Sequence, residues 1–285
     1  MASTKRRYRS ADGIGLVADV AGPANAPAVL LLHGGGQTRH SWSGAMRELA
    51  GRGYHVISYD ARGHGESDWS PTADYALDDR VADLRAIVAT LAQPYALVGA
   101  SLGGATAIHA VASGLAPAAV VLVDIVPEPE HDGIARIVDF MRANPAGFAS
   151  LDEAADAVAA YNPARPRPRD PSGLLRNLRQ RDDGRLYWHW DPLTTATPAA
   201  EHHAIIQRSA RALAQQPEVP LMLVRGLKSE VVSDAGVAAF RADVPWLEVA
   251  DVRDAGHMVA GDRNDAFNAS VAAFLTRHLT LGVAA

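Results

Sequence analysis

Five short apolar runs limit what this chain can become: AVLLLH (Ala28 to His33), HVISYD (His55 to Asp60), YALVG (Tyr95 to Gly99), AVVLVD (Ala119 to Asp124) and PLMLVRG (Pro220 to Gly226). Each is apolar almost without interruption, and each is far shorter than a membrane span of about 20 residues. A strand with one wet face alternates apolar and polar residues, whereas a strand covered on both faces does not. The runs therefore predict strands of a parallel sheet with helices on both sides. The segments between them supply those helices. Leu77, Val81, Leu84, Val88 and Leu91 recur at helical spacing, with Asp78, Asp79, Asp83 and Arg85 on the other face. Phe267, Val271, Phe274, Leu275 and Leu279 repeat the pattern near the end. RRYRS and IGLVADV, on either side of Ala11-Asp12-Gly13, read as a leading hairpin, which makes the sheet mixed.

The rhythm of strand and helix breaks between about Pro127 and Pro217. No buried strand is legible there, only helical segments and the proline-arginine stretch RPRPRDP (Arg165 to Pro171), which reads as an extended connector. Ser150-Leu-Asp-Glu153 is a capping box that opens a helix through Tyr161. The predicted organisation is an α/β core, residues 1–126 and 217–285, with a helical cap inserted at 127–216. With 285 residues there is room for such a core. Ligands of open α/β sheets bind at the carboxyl edge of the strands, so the insertion belongs there.

Composition removes other classes. Without cysteine there is no disulfide framework, no thiolate metal site and no Cys nucleophile. A net charge of −5 gives no global basic field for nucleic acid or an anionic membrane. MASTKRRYRSADG has basic residues without an apolar stretch behind them and does not read as a secretory signal, so a cytoplasmic protein is expected.

The chemistry is concentrated in VGASLGGATAIHA, Val98 to Ala110. A phosphate loop of the Walker type needs Lys and then Ser or Thr after its last glycine, and none follows Gly103 or Gly104. The dinucleotide spacing G-x-G-x-x-G is also absent from GASLGG. Gly99-Ala-Ser-Leu-Gly103 fits G-x-S-x-G between a strand and a helix instead. There the turn is so tight that side chains two residues either side of the serine would clash, and the serine hydroxyl stands out over the sheet. Ser101 is the candidate nucleophile. A nucleophilic serine needs a base and an acid to orient that base. Of eleven histidines, His257 in DAGHMV lies after the last strand-like run, WLEVADV, and before the final helix. His202 and His203 are adjacent and would point apart on a helix, His64 sits in the loop ARGHGES, and His109 lies on the helix after Ser101. The backbone N–H of Leu102 offers one donor to an oxyanion; Gly35, in His33-Gly34-Gly35-Gly36, is the candidate for the second.

These motifs, taken in order, resemble the α/β-hydrolase superfamily: HGGG at 33–36, YDARGHGES at 59–67, GASLGG at 99–104, VLVD at 121–124, LMLVRG at 221–226 and AGHM at 255–258. The insertion, with GFASLDEA, GLLRNLR and GRLYWHWDP, is similar to that of bacterial members described as esterases, lipases or non-haem peroxidases. The resemblance implies a mostly parallel mixed sheet, a Ser–acid–His order and no cofactor or metal. Many relatives carry an aspartate after the strand that corresponds to LMLVRG; here Glu230 occupies the region and ranks first as the acid. Asp124, at the end of the strand after the serine turn, and Asp234 are the alternatives. Haloalkane dehalogenases and most epoxide hydrolases of this fold carry a carboxylate at the turn, so Ser101 favours acyl chemistry.

The expected function is hydrolysis of a carboxylic ester or lactone through an acyl-enzyme on Ser101. Carbon–carbon bond hydrolysis, perhydrolysis and a slow-turnover ligand receptor are the alternatives. Tyr187, Trp188, His189 and Trp190 are candidates for the wall of a substrate pocket suited to apolar molecules, or for packing within the cap. The arginines at 165, 167, 169, 176, 179, 181 and 185 read as a solvated face, because Asp170, Asp182 and Asp183 interleave.

Overall fold

The computed structural model describes residues 3–163, 167–259 and 264–281. Eight strands form one sheet: β1 (Thr4–Arg9), β2 (Gly15–Ala21), β3 (Ala28–Leu32), β4 (His55–Tyr59), β5 (Tyr95–Ala100), β6 (Ala119–Val123), β9 (Leu221–Gly226) and β10 (Glu248–Val252). Their spatial order is β1-β2-β4-β3-β5-β6-β9-β10. The leading hairpin pairs antiparallel and joins β4 antiparallel, and every other pairing is parallel. All five apolar runs are strands, and every residue of β3, β4 and β6 is buried. Their lack of alternation follows from having both faces covered. Leu30, Ile57, Leu97 and Leu122 pack on one side against α2 (Leu77–Val88), α3 (Leu102–Ala112), α6 (Ala199–Leu213) and α7 (Asp234–Asp243). Leu31, Val56, Val98 and Val121 pack on the other against α1 (Ser43–Gly51) and α8 (Asn264–His278).

Between β6 and β9 the chain leaves the sheet. It forms α4 (His131–Arg142), α5 (Leu151–Tyr161), a short turn at Pro171–Asn177, and then the antiparallel pair β7 (Leu178–Gln180) and β8 (Leu186–Trp188) before α6. The helix after Ser150 forms as expected. Its serine Oγ accepts the Glu153 N–H at 3.2 Å, while the Glu153 carboxylate reaches Ala149 N–H at 2.6 Å. The β7–β8 pair corrects the expectation that this segment holds only helices. Three-residue strands that are largely uncovered leave no periodic signal. Met141, Phe148, Trp188 and Trp190 give the insert a small core of its own. α6 instead packs Ile206, Ala210 and Leu213 into the main core. Of RPRPRDP, Arg165 and Pro166 lie outside the described residues. No helix among the described residues is long and apolar enough to cross a membrane.

Candidate active site

β5 passes into α3 through Ser101, whose backbone sits at φ +46°, ψ −113°. A non-glycine residue in that half of the map costs about 1–3 kcal/mol, and such strain concentrates at sites of function. The flanking glycines have the steric role their spacing suggested. A Cβ on Gly99 would lie 2.4 Å from the Gly103 carbonyl oxygen, and one on Gly103 would lie 2.2 Å from that of Leu32. The turn closes only if both positions lack side chains. Leu102 opens the helix, so its N–H has no partner within the helix and points out of the helix end.

β6 lies beside β5 with Val123 opposite Ala100, so Asp124 and Ser101 leave the sheet at the same level. Asp124 is likewise at positive φ, +50°, and its side chain is fully buried. Its Oδ1 accepts the Gly226 N–H at 3.1 Å. Its Oδ2 accepts the Ser229 hydroxyl at 2.5 Å and His257 Nδ1 at 2.7 Å. A carboxylate can only accept, so His257 carries its proton on Nδ1 and turns an Nε2 lone pair away from Asp124. Ser101 and His257 both line one cavity of about 450 Å³.

Glu230, ranked first as the acid on sequence, does not meet His257. It pairs with Arg136 of α4 and its side chain is 60% exposed. The reason lies one residue earlier. Ser229 turns inward to Asp124, and its Oγ also accepts the N–H groups of Val231 and Val232 at 3.1 and 3.2 Å. That tight turn sends the next side chain outward. Asp234 is also turned away: it opens α7 and pairs with Arg225 at 2.6 Å.

The loop after β3 presents three consecutive glycine N–H groups. Gly34 N–H goes to Gln37 Oε1 at 3.2 Å and Gly36 N–H to His64 Nε2 at 3.2 Å. Among the described residues, no acceptor meets the Gly35 N–H. The N–H groups of Leu102 and Gly35 are thus both left without an acceptor among the described residues.

The aromatic run after Tyr187 divides between two sides, as extended chain requires. Trp188 and Trp190 line the cavity, stacked with ring centroids 5.0 Å apart and planes at 11°. Tyr187 and His189 do not line it. Tyr187 hydrogen-bonds Asp183 at 2.7 Å beneath Arg181, and His189 is buried against the loop at 63–65. Arg167 stands at the cavity wall but is bound to Asp152 at 2.7 Å and Asp156 at 2.6 Å.

A model of the alpha/beta hydrolase fold family matches residues 27–263. This chain belongs to the α/β-hydrolase family. As an α/β hydrolase it is an enzyme of that type, and its relatives fit. Over 254 residues it is 32% identical to the esterase Rv0045c of Mycobacterium tuberculosis, covering 84% of this chain and 79% of the other. It is 30% identical to 2-(acetamidomethylene)succinate hydrolase of Mesorhizobium japonicum, over 82% of this chain and 83% of that one. A crystal structure of E-2-(acetamidomethylene)succinate hydrolase superposes with a TM-score of 0.84 at 24% identity, covering 96% of this hydrolase and all of that chain. Sequence reasoning missed Ser229, and although it placed His64 in a loop and His189 in the cap it missed that these two and His33 form one buried group. Ser229 gave no signal beyond its place after a sheet strand. The histidines sit in HGGG, RGHG and YWHW, motifs that invite a reading by their glycines and tryptophans instead.

Proposed function

We propose that this hydrolase cleaves carboxylic esters through an acyl-enzyme on Ser101, with His257 as base and Asp124 as the acid that orients it. The observation that carries the reading is the bond from His257 Nδ1 to a buried, fully hydrogen-bonded Asp124, beside a serine on a strained turn in the same cavity. His257 Nε2 takes the hydroxyl proton as Ser101 Oγ attacks the carbonyl carbon. The oxyanion is held by the N–H groups of Leu102 and Gly35. Asp124 stabilises the imidazolium, which then gives its proton to the departing alkoxide. Water, deprotonated by the same nitrogen, attacks the acyl-enzyme and releases the acid and Ser101. A lactone, being a cyclic ester, reacts through the same steps.

The insert at 127–216 acts as a cap that chooses the substrate. Phe140, Tyr161, Trp188 and Trp190 give the cavity an aromatic wall, which favours an ester with an apolar, ring-bearing part. Arg167 is the only Arg or Lys among the described residues at the cavity, and two aspartates already neutralise it. A dicarboxylate such as the succinate in the name of one relative therefore meets no free Arg or Lys among the described residues.

The test is a series of p-nitrophenyl esters on wild type and Ser101→Ala, with intact-mass detection of a fluorophosphonate adduct. Phenylacetate-type esters should exceed the hemisuccinate by at least about tenfold in kcat/KM, a difference within what one pocket contact supplies. Ser101→Ala should lose both turnover and adduct. A wild type that gives neither would overturn the reaction.

A further inference from the structure

The loop that carries Gly35 is held by three imidazoles, and the backbone dictates where each ring keeps its proton. His33 Nε2 accepts the Ala61 N–H at 2.9 Å, so its Nδ1 donates to the Gly34 carbonyl at 2.8 Å. His64 Nε2 accepts the Gly36 N–H at 3.2 Å, and its Nδ1 donates to the Arg62 carbonyl at 3.1 Å. His189 has the opposite tautomer: Nδ1 accepts the Gly65 N–H at 2.7 Å and Nε2 donates to the Gly36 carbonyl at 3.4 Å. A nitrogen that receives an N–H is unprotonated, so all three rings are neutral. Burial favours the same state. It pushes His33 below its ordinary value, His64 well below, and His189 down to about 3.

Gly36, at φ +70°, therefore has both its N–H and its carbonyl bound by imidazoles, one from the core and one from the insert. His189 does not bind alone. Asp191 N–H donates to the Gly63 carbonyl at 2.8 Å, Tyr75 hydroxyl donates to Asp191 at 2.6 Å, and Arg179 donates to the Gly65 carbonyl. The insert thus grips the loop at 63–65, and that loop grips the glycines beside Ser101.

We propose that His64 and His189 are positioning residues that fix the oxyanion loop, so that seating the insert on the core also aims the Gly35 N–H. This rests on the reaction proposed above. Neither ring lines the cavity, so each acts through Gly36. A displacement of about 1 Å at such a donor costs on the order of 100-fold in rate.

The first measurement is ¹⁵N-histidine correlation spectra of the wild-type protein from pH 5 to 8. His33 and His64 should appear as Nδ1–H tautomers and His189 as the Nε2–H tautomer, none titrating. The second is ester kinetics on paired variants. Gln places its amide near Nε2 of the ring it replaces, and Asn near Nδ1. His189→Gln keeps the donor to Gly36, whereas His189→Asn keeps only the acceptor for Gly65. His189→Asn should lower kcat and the fluorophosphonate labelling rate roughly 10- to 100-fold with KM within about threefold. His189→Gln should recover most of that loss, and His64→Gln should likewise outperform His64→Leu. Melting temperatures identify the folded variants. Titration of His64 or His189 between pH 5 and 8 in the wild type overturns the proposal. So does a folded His189→Asn with full kcat on an active wild-type background. A wild type inert to esters and fluorophosphonate overturns the reaction and this proposal together.

Discussion

Ser101 and the bonded pair His257–Asp124 lie at the carboxyl edge of the sheet, Ser101 and His257 lining one cavity, while Ser209, His109 and Asp78 are hydrogen-bonded between α6, α3 and α2. By distance alone the second group is a complete hydrogen-bonded chain. His109 Nδ1 lies 2.8 Å from Ser209 Oγ, and its Nε2 lies 2.8 Å from Asp78. The surroundings separate them. Ser209 sits in mid-helix and its hydroxyl donates to the Ile205 carbonyl at 2.8 Å, so what it offers His109 is a lone pair. Ser101 stands on a strained turn at the cavity. The Asp78 side chain is 84% exposed, whereas that of Asp124 is fully buried and takes three further-fixed donors. Three residue types in hydrogen-bond order can therefore arise from helix packing alone. A strained serine, a buried acid and an adjoining cavity together do not.

The sharpest way to break this comparison is to neutralise both acids. Asp124→Asn should lower kcat about 10⁴-fold, because an amide reverses the tautomer of His257. Asp78→Asn and Glu230→Gln should each leave kcat within about twofold. Steady-state hydrolysis of one p-nitrophenyl ester measures all three. If Glu230→Gln matches the loss at Asp124, the assignment of the acid is wrong.

The same comparison explains what the sequence could tell. Strand runs, the serine turn and the place of His257 at the sheet edge were legible because each is written locally: unbroken apolar runs for two-sided burial, glycines at fixed offsets for a tight turn, a loop between the last strand and the final helix. Which carboxylate meets His257 was not, because Glu230 and Asp124 both follow sheet strands and both lie in plausible positions along the chain. What decides between them is Ser229, whose hydroxyl bonds to Asp124 across 105 positions and turns Glu230 outward. Likewise YWHW holds four aromatic residues whose alternation puts two on the cavity and one on Gly36. Nothing in the run says where that alternation begins.

A second difference between the two regions is what backs them. The sheet-edge site rests on the buried neutral rings of His33, His64 and His189, whereas His109 keeps part of its side chain in solvent. In the unfolded chain a histidine binds its proton near pH 6.5; His189 in the fold does so only at about 3. Between those values the unfolded chain holds more protons, so stability rises with pH and is lost on acidification through that window. At pH 5 the His189 ring alone costs about 2 kcal/mol relative to pH 8, and His33 and His64 add to it in the same direction. Thermal melts from pH 8 to 5 should show a steep fall, and His189→Gln should flatten it by one ring's share. A profile flat over that range would mean the rings are not held neutral.

The smallest expected effect belongs to the second arrangement itself. Ser209→Ala removes an acceptor from His109 between α3 and α6, a partly buried hydrogen bond with a net worth of about 1 kcal/mol. Asp78→Asn should cost about 0.5 kcal/mol or less, since an ion pair so open to water is screened. Urea denaturation resolves the first of these, and ester turnover should be unchanged in both variants. If Ser209→Ala were to slow turnover at full stability, the helical group would be coupled to the cavity through α3, whose first N–H is the proposed oxyanion donor. The difference between the two arrangements would then lie in which of them touches substrate, with both contributing to the reaction.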